Sequence, residues 1–280
     1  MQGRACSPAR AALMSGATAK MLFVIDVGNT NTVLGVFEGN ELKAQWRLST
    51  NRRQTADEYG ILIRSLFTLD GVQPSQITGV MVASVVPPLN FVLEEMAEKY
   101  FKLKAVFLGP GTRTGMPIHY DNPQEVGADR IADAVAAFEK YGGPCVVVDF
   151  GTAITFDAIS EKGEYLGGVI APGIGISSEA LFQQAARLPR VEIREPSRVI
   201  GTNTVASMQS GLFYGAVSLV DGILDRLCAT LGPKTKVVAT GGQALLVAGA
   251  SKYHPPVDSA LTLDGLRIIF ERQLATARHK

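Results

Sequence analysis

Seven consecutive residues, Asp26-Val27-Gly28-Asn29-Thr30-Asn31-Thr32, carry more donors and acceptors than a turn needs. They join two apolar runs of β type, 22–25 and 33–37, which an Asn-Gly or Asp-Gly turn would link with far fewer polar groups. Hydroxyls, amides and backbone N–H groups around a tight glycine turn form a concavity for phosphate oxygens, and glycine lets the backbone approach them. A strand-end aspartate repels phosphate unless a cation lies between the two. Asp26 beside Asn29, Thr30 and Thr32 therefore suits Mg²⁺ bridging the carboxylate to a nucleotide phosphate, directly or through water. The plain alternative is an Asx-type turn in which Asp26 and Asn29 satisfy their own backbone, and for one such hairpin alone it is the better reading. The unit recurs, however. "CVVVDFGTAITFDAI" at 145–159 repeats the pattern, with Asp149, Gly151 and Thr155 matching Asp26, Gly28 and Thr32. Two copies facing each other across a cleft turn the preference toward phosphate. No G-x-x-x-x-G-K-[ST] loop is present and no G-x-G-x-x-G opens a helix after a strand, which excludes the P-loop and dinucleotide-binding folds.

The elements that must hold these hairpins follow from periodicity and punctuation. A third strand is expected at 44–48, helices at 55–69 and at 89–100 after Pro87-Pro88, and a buried strand in the valine-rich run 77–86. Asn122 as N-cap and Pro123 at the first helical position predict a helix to about Tyr141, stopped by Gly142-Gly143-Pro144. The second half adds strands at 165–170 and 236–240, a long helix at 203–231, a helix opened by Gly241-Gly242, and an amphipathic closing helix at 262–277. Strands in threes followed by helices predict two similar α/β domains with mixed sheets flanking a cleft, at 21–142 and 143–280. Residues 1–20 read as an extension outside the fold, with too short an apolar run for a secretory signal. The apolar segment 211–220 falls well short of the ~20 residues that span a bilayer. A formal net charge of +1 offers no basic field to nucleic acid or an anionic membrane. Cys6, Cys145 and Cys228 have neither metal nor disulfide spacing, which suits reduced thiols in a cytoplasm, and His119, His254 and His279 form no ligand cluster.

"DVGNT" (26–30), "DFGT" (149–152) and "ATGG" (239–242) resemble the phosphate-1, phosphate-2 and adenosine motifs of the actin, heat-shock chaperone and sugar kinase superfamily, whose domains are actin-like (ribonuclease H-like) and flank an ATP cleft. The chain is more closely similar, over 21–273, to the type III pantothenate kinases. It shares with them "DVGNTNT" (26–32), "HYDNP" (119–123), "GADRIADA" (127–134), "DFGTAIT" (149–155), "GGVIAPG" (167–173), "GTNT" (201–204) and "LTLDGL" (261–266). It departs from them at Ile154, where threonine is common, and in its N-terminal extension. The resemblance implies ATP-dependent phosphorylation of pantothenate to 4′-phosphopantothenate, the first step of coenzyme A biosynthesis, by a cytoplasmic homodimer. It implies that Asp26, Val27, Gly28, Asn29, Thr30, Asn31, Thr32, Val33 and Thr152 bind ATP. Tyr120, Gly127, Ala128, Asp129, Arg130 and Thr204 would contact pantothenate, with Asp129 as the base. Asp149 would hold a monovalent cation, K⁺ or NH₄⁺, and Asp26 would serve Mg²⁺.

Each role has a plainer alternative. On spacing alone Asp129 reads better as a solvated aspartate complementing a helix dipole, and the choice of it over Asp133 rests on the resemblance. Arg130, whose planar fork suits a carboxylate, has an i,i+3 partner in Asp133. Tyr120 reads as a packed loop aromatic, Thr204 as a helix N-cap, Thr152 as a turn hydroxyl, and Asp149 as a second Mg²⁺ partner. Gly211-x-x-x-Gly215 permits close helix approach and is the expected dimer face. Two rival functions remain. One is a kinase of the same superfamily acting on another small hydroxylated acid. The other is a non-catalytic ATP-binding regulator, which should lack Asp26, Asp129 or Asp149; this chain keeps all three.

Overall fold

The computed structural model describes residues 20–278, so the extension expected at 1–20 lies outside the described residues apart from Lys20. The first sheet holds β1 (Met21–Val27), β2 (Asn31–Glu38), β3 (Glu41–Ser49), β4 (Ile77–Ser84) and β5 (Ala105–Phe107), in the order β3-β2-β1-β4-β5. The second holds β6 (Cys145–Phe150), β7 (Ala153–Ile159), β8 (Tyr165–Pro172) and β9 (Lys236–Thr240), in the order β8-β7-β6-β9. In both, three strands run as an antiparallel meander and a later strand joins parallel to the first. The two mixed sheets thus share one topology, as the repeated hairpin predicts.

Three apolar layers fix the sheets. α1 (Ala56–Leu69) and α2 (Asn90–Phe101) cover one face of the first sheet, where Phe23, Phe67 and Phe101 meet. α1 starts on a capping box: the Glu58 N–H donates to Thr55 Oγ1 at 3.3 Å and the Thr55 N–H to Glu58 Oε2 at 2.8 Å. α5 (Thr204–Leu231) and α6 (Ala244–Ala248) cover the outer face of the second sheet, and α4 (Ile174–Gln184) lies beside α5. α3 (Ala128–Tyr141) and α7 (Leu261–Arg278) form the layer between the sheets. Small residues let this layer pack closely. Ala132, Ala134, Ala136 and Ala137 of α3 are buried, and a Cβ at Gly265 of α7 would strike the backbone of Ala132. Each large side chain buried there contributes about 1.5–3 kcal/mol. α7 also packs on β1, β2 and β4, so the last helix of the chain braces the first sheet.

Differences from the sequence reading are local. Asn122 caps only a 3₁₀ turn, Pro123–Glu125, accepting from the Gln124 N–H at 3.2 Å. α3 begins five residues later, with Gly127 as its N-cap. Proline sets the φ of one turn but cannot decide whether the next turn continues it. At α5 the cap is Asn203, whose side chain accepts from Ala206 N–H at 2.9 Å, and Thr204 is the first helical residue. β5 and α4 carry no clear sequence pattern, being short and glycine-flanked respectively. No helix among the described residues is long and apolar enough to cross a membrane.

Candidate functional site

The hairpins β1–β2 and β6–β7 meet at their turns. Thr30 Oγ1 and Thr152 Oγ1 are 2.8 Å apart, one hydroxyl donating to the other. In the first turn the Gly28 N–H donates to the Asn31 carbonyl at 3.0 Å, and in the second the Gly151 N–H donates to the Ala153 carbonyl at 3.0 Å. The turns differ in length by one residue. Asp26 stands opposite Val33 in the ladder, whereas Asp149 stands opposite Thr155. Thr155 therefore takes the place of Val33, not of Thr32 as equal spacing from the two aspartates suggests. A slip of one residue reverses the face. Val33 and Thr155 line the cleft, while Thr32 is fully buried, its Oγ1 3.0 Å from Thr50 Oγ1. The Thr50 hydroxyl donates to the Gly28 carbonyl at 2.7 Å and so braces the turn from behind.

A cleft of about 640 Å³ opens at these turns. Asp26 and Asp149 stand at corresponding strand ends, and Asp129 reaches the same space from the first turn of α3. Asp129 Oδ1 accepts the Arg130 N–H at 2.8 Å, folded over Gly127, where any Cβ would collide with it. Gly241 lies in the left-handed region at φ +94°, and a Cβ there would strike Asp149 and Phe150. The turn after β9 thus closes directly on the strand-end carboxylate. Gly173 places the N-terminus of α4 against the second hairpin, its N–H donating to the Thr152 carbonyl at 3.2 Å.

Burial and mutual repulsion raise the acids together. Burial pushes the Asp26 carboxyl well up, and Asp129 and Asp149 add to this while Arg47 opposes it. Asp149 rises to about 7, first by burial and then by Asp129 and Asp157. Asp129 is raised by burial against the opposing Arg130 N–H and guanidinium charge. Asp133, one turn deeper on α3, is 2% exposed with Oδ1 making no hydrogen bond among the described residues, and burial, then Asp149, push it well up. Of the two aspartates only Asp129 lines the cleft.

Beside the cleft, Arg130 turns to a partner that sequence spacing does not reveal. Its Nε donates to Asp157 Oδ1 at 2.8 Å, and Nη2 lies 2.7 Å from the same oxygen. The Tyr165 hydroxyl donates to that oxygen at 2.7 Å. Asp157 is fully buried, and burial outweighs Arg130 and Tyr165 to leave its carboxyl at about 6. The expected i,i+3 pair with Asp133 does not form. Nη2 is buried and meets Asp157 as an ion-pair contact rather than an aligned hydrogen bond. Gly168 leaves the room that this guanidinium fills, and Tyr120 packs over Gly167 with its ring centre 6.4 Å from that of Tyr165.

Gly28, Asn29, Thr30, Asn31, Val33 and Thr152 thus share the cleft wall with the three aspartates. Val27 and Thr32 do not: both are fully buried, and Val27 belongs to the first core. Gly127 and Ala128 start α3 without lining the cleft, and Tyr120 and Arg130 form the adjoining cluster. Thr204 is elsewhere. It lines a separate open groove of about 700 Å³ with Leu181, Leu188, Asn203 and Met208. Arg47, Asp157, the start of α4 and Gln243 escape the sequence reading, since no motif or periodicity marks them.

A family profile described as type III pantothenate kinase matches residues 22–226. A type III pantothenate kinase of Myxococcus xanthus is 62% identical over 256 residues, covering 91% of this chain and 100% of that one. Another, from Koribacter versatilis, is 59% identical over 270 residues, covering 93% of this chain and 98% of its own. Among solved structures, a Baf family protein from Campylobacter jejuni aligns with a TM-score of 0.59 at 22% identity, over 90% of this chain and 99% of that one. The ethanolamine utilization protein EutJ from Carboxydothermus hydrogenoformans aligns at 0.54 and 14% identity, over 89% of each chain. At those identities the structures speak for the fold alone. The profile match and the near-full-length relatives go further: this chain belongs to the type III pantothenate kinase family.

Proposed function

We infer that the protein transfers the terminal phosphate of ATP to the primary hydroxyl of pantothenate, giving 4′-phosphopantothenate, the first step toward coenzyme A. The observation that carries this reading is the juxtaposition of two polar hairpins, joined through Thr30 and Thr152, with Asp129 on the same cleft. Phosphoryl transfer needs a polyphosphate held in place, an acceptor in line and a carboxylate for the departing proton. The turns 28–31 and 151–152 supply N–H groups and hydroxyls for the phosphates. Asp129 takes the proton; its raised carboxyl is a better base at neutral pH than an ordinary surface aspartate. Arg130, anchored by Asp157 through Nε and Nη2, receives the pantothenate carboxylate on the rest of its fork, with Tyr120 beside it.

The acids also fit cations. No three candidate ligands converge among the described residues, so the protein alone forms no metal cage. That suits Mg²⁺, which keeps waters and is held by one or two carboxylates plus substrate phosphates. Asp26 would hold it, and it would neutralise phosphate charge. Asp149, crowded by other carboxylates, would hold K⁺ or NH₄⁺.

The place of Thr204 supports a homodimer. Within one chain it shares no cavity with Asp129. Around it Val199, Ile200 and Val205 are exposed, and Gly211 and Gly215 face open space along α5. A second copy packed on this face would cover them and bring Thr204 to the partner's substrate. A cytoplasmic enzyme with no nucleic-acid or membrane partner agrees with the balanced charge. The test is purified protein with ATP, Mg²⁺ and pantothenate, scored for phosphopantothenate against a panel of other hydroxy acids. Pantothenate is expected to be the best acceptor; a better one would overturn the assignment.

A further inference from the structure

The cleft is acidic, and its expected occupant is a polyanion. Asp26, Asp129, Asp149 and Glu179 line it, and among the described lining residues Arg47 is the one basic side chain. Arg47 lies on β3 opposite Val33, and the two share the cleft face, while its neighbour Trp46 turns into the first core. It reaches across to the turn after β9: a Cβ at Gly242 would stand 3.0 Å from Arg47 Nη1. Nearby arginines have partners. Arg52 Nη2 donates to Asn29 Oδ1 at 3.0 Å, and Arg130 is held by Asp157. Arg47 makes no hydrogen bond or ion pair among the described residues. Its charge nevertheless favours the ionised forms of Asp26 and Asp149, the two strand-end carboxylates.

The plain account of Arg47 is a solvated charge on an edge strand, where charged residues discourage pairing with other chains. Its direction argues against that, because it enters the cleft and approaches the opposite wall. A guanidinium fork matches phosphate oxygens with two parallel hydrogen bonds, and an unpartnered one breaks none of its own to do so. We propose that Arg47 binds the polyphosphate of the nucleotide, drawing the first sheet onto the Gly241-Gly242 turn. This rests on the nucleotide reading of the cleft and adds to it a recognition element for phosphate rather than adenosine.

The test compares wild type with Arg47→Gln and Arg47→Lys, using inorganic tripolyphosphate and adenosine as inhibitors competing with ATP. Arg47→Gln should weaken ATP and tripolyphosphate by about tenfold to a hundredfold, the range for hydrogen bonds to charged groups. The inhibition constant of adenosine and the KM for pantothenate should stay unchanged. Arg47→Lys should recover part of the loss, keeping charge without the fork. Arg47 makes no hydrogen bond among the described residues, so both variants should stay folded, with Tm moved only by the charge lost beside Asp26 and Asp149 in Arg47→Gln. Equal losses for adenosine and tripolyphosphate, or an unchanged KM for ATP in Arg47→Gln, would overturn the proposal. A wild-type protein inhibited by neither probe and not saturable by ATP would overturn the nucleotide reading itself, and the proposal with it.

Discussion

Replacing Asp157 by asparagine should unfold this protein far more readily than replacing Arg130, although each change breaks the same pair. Asp157 is fully buried and takes Arg130 Nε, Arg130 Nη2 and the Tyr165 hydroxyl on one oxygen, at 2.8, 2.7 and 2.7 Å. An amide in its place keeps an acceptor for two of these donors but removes the negative charge. A guanidinium cannot shed its proton in a protein, so Arg130 is left as an uncompensated buried cation. Breaking a buried pair in this way costs about 3–5 kcal/mol. At about 2–4 °C per kcal/mol for a chain of this size, Tm should fall by about 6–20 °C. Arg130→Met leaves an acid instead. The Asp157 carboxyl already stands at about 6 with Arg130 present, and without it burial would raise it further. It can then keep its proton at neutral pH and avoid a buried charge. Urea and thermal unfolding of both variants at pH 7 would measure the asymmetry, and a double variant would give the coupling. Asp157→Asn should also raise the KM for pantothenate with that for ATP unmoved, since Arg130 loses its anchor. A loss below about 1 kcal/mol, typical of an exposed pair, would refute the buried-charge argument.

The remaining expectations concern the cleft. Asp129→Asn keeps the acceptor for the Arg130 N–H and so the start of α3, but turnover should fall by about 10²–10⁴-fold with ATP binding little changed; more than a tenth of wild-type turnover would place the base elsewhere. Folded Asp149, at about 7, holds a proton that the unfolded chain releases near its ordinary range of about 4. Stability of the nucleotide- and metal-free protein should therefore decline as pH rises from about 4 to about 7 and level off above that, and Asp149→Asn should flatten the decline; identical pH slopes of Tm would contradict it. Exchanging K⁺ for Na⁺ at constant ionic strength should slow wild type sharply and Asp149→Asn not at all, whereas equal wild-type rates would remove the cation from Asp149. Thr204→Val should raise the KM for pantothenate alone, and mixing Thr204→Val with Asp129→Asn chains should restore activity in heterodimers if Thr204 serves the partner's site. Loss of ATP affinity in Thr204→Val would end that role.

The primary sequence determined the repeated strand–turn–strand unit, the order of the strands and helices other than β5 and α4, and the family, because these rest on local patterns and ordered motifs. Apolar runs must be buried, glycine admits what other residues cannot, and an aspartate at a strand end is visible wherever the chain is read. Tertiary structure alone decided which of these residues share a space. Spacing from the aspartates equates Thr32 with Thr155, but the second turn is one residue shorter, and the pleat then sends one hydroxyl into the core and the other into the cleft. Asp157 reads as one polar residue within an apolar strand, yet the fold brings it to Arg130, 27 positions away, across the layer of α3. Arg47 has no motif around it, and its meaning comes from the four acids that other elements bring to the same cleft. Thr204 sits in a recognisable motif but is separated from Asp129 by the fold of its own chain. Charge pairing and cavity shape depend on distances through space, and those distances exist only once both sheets have closed on α3 and α7.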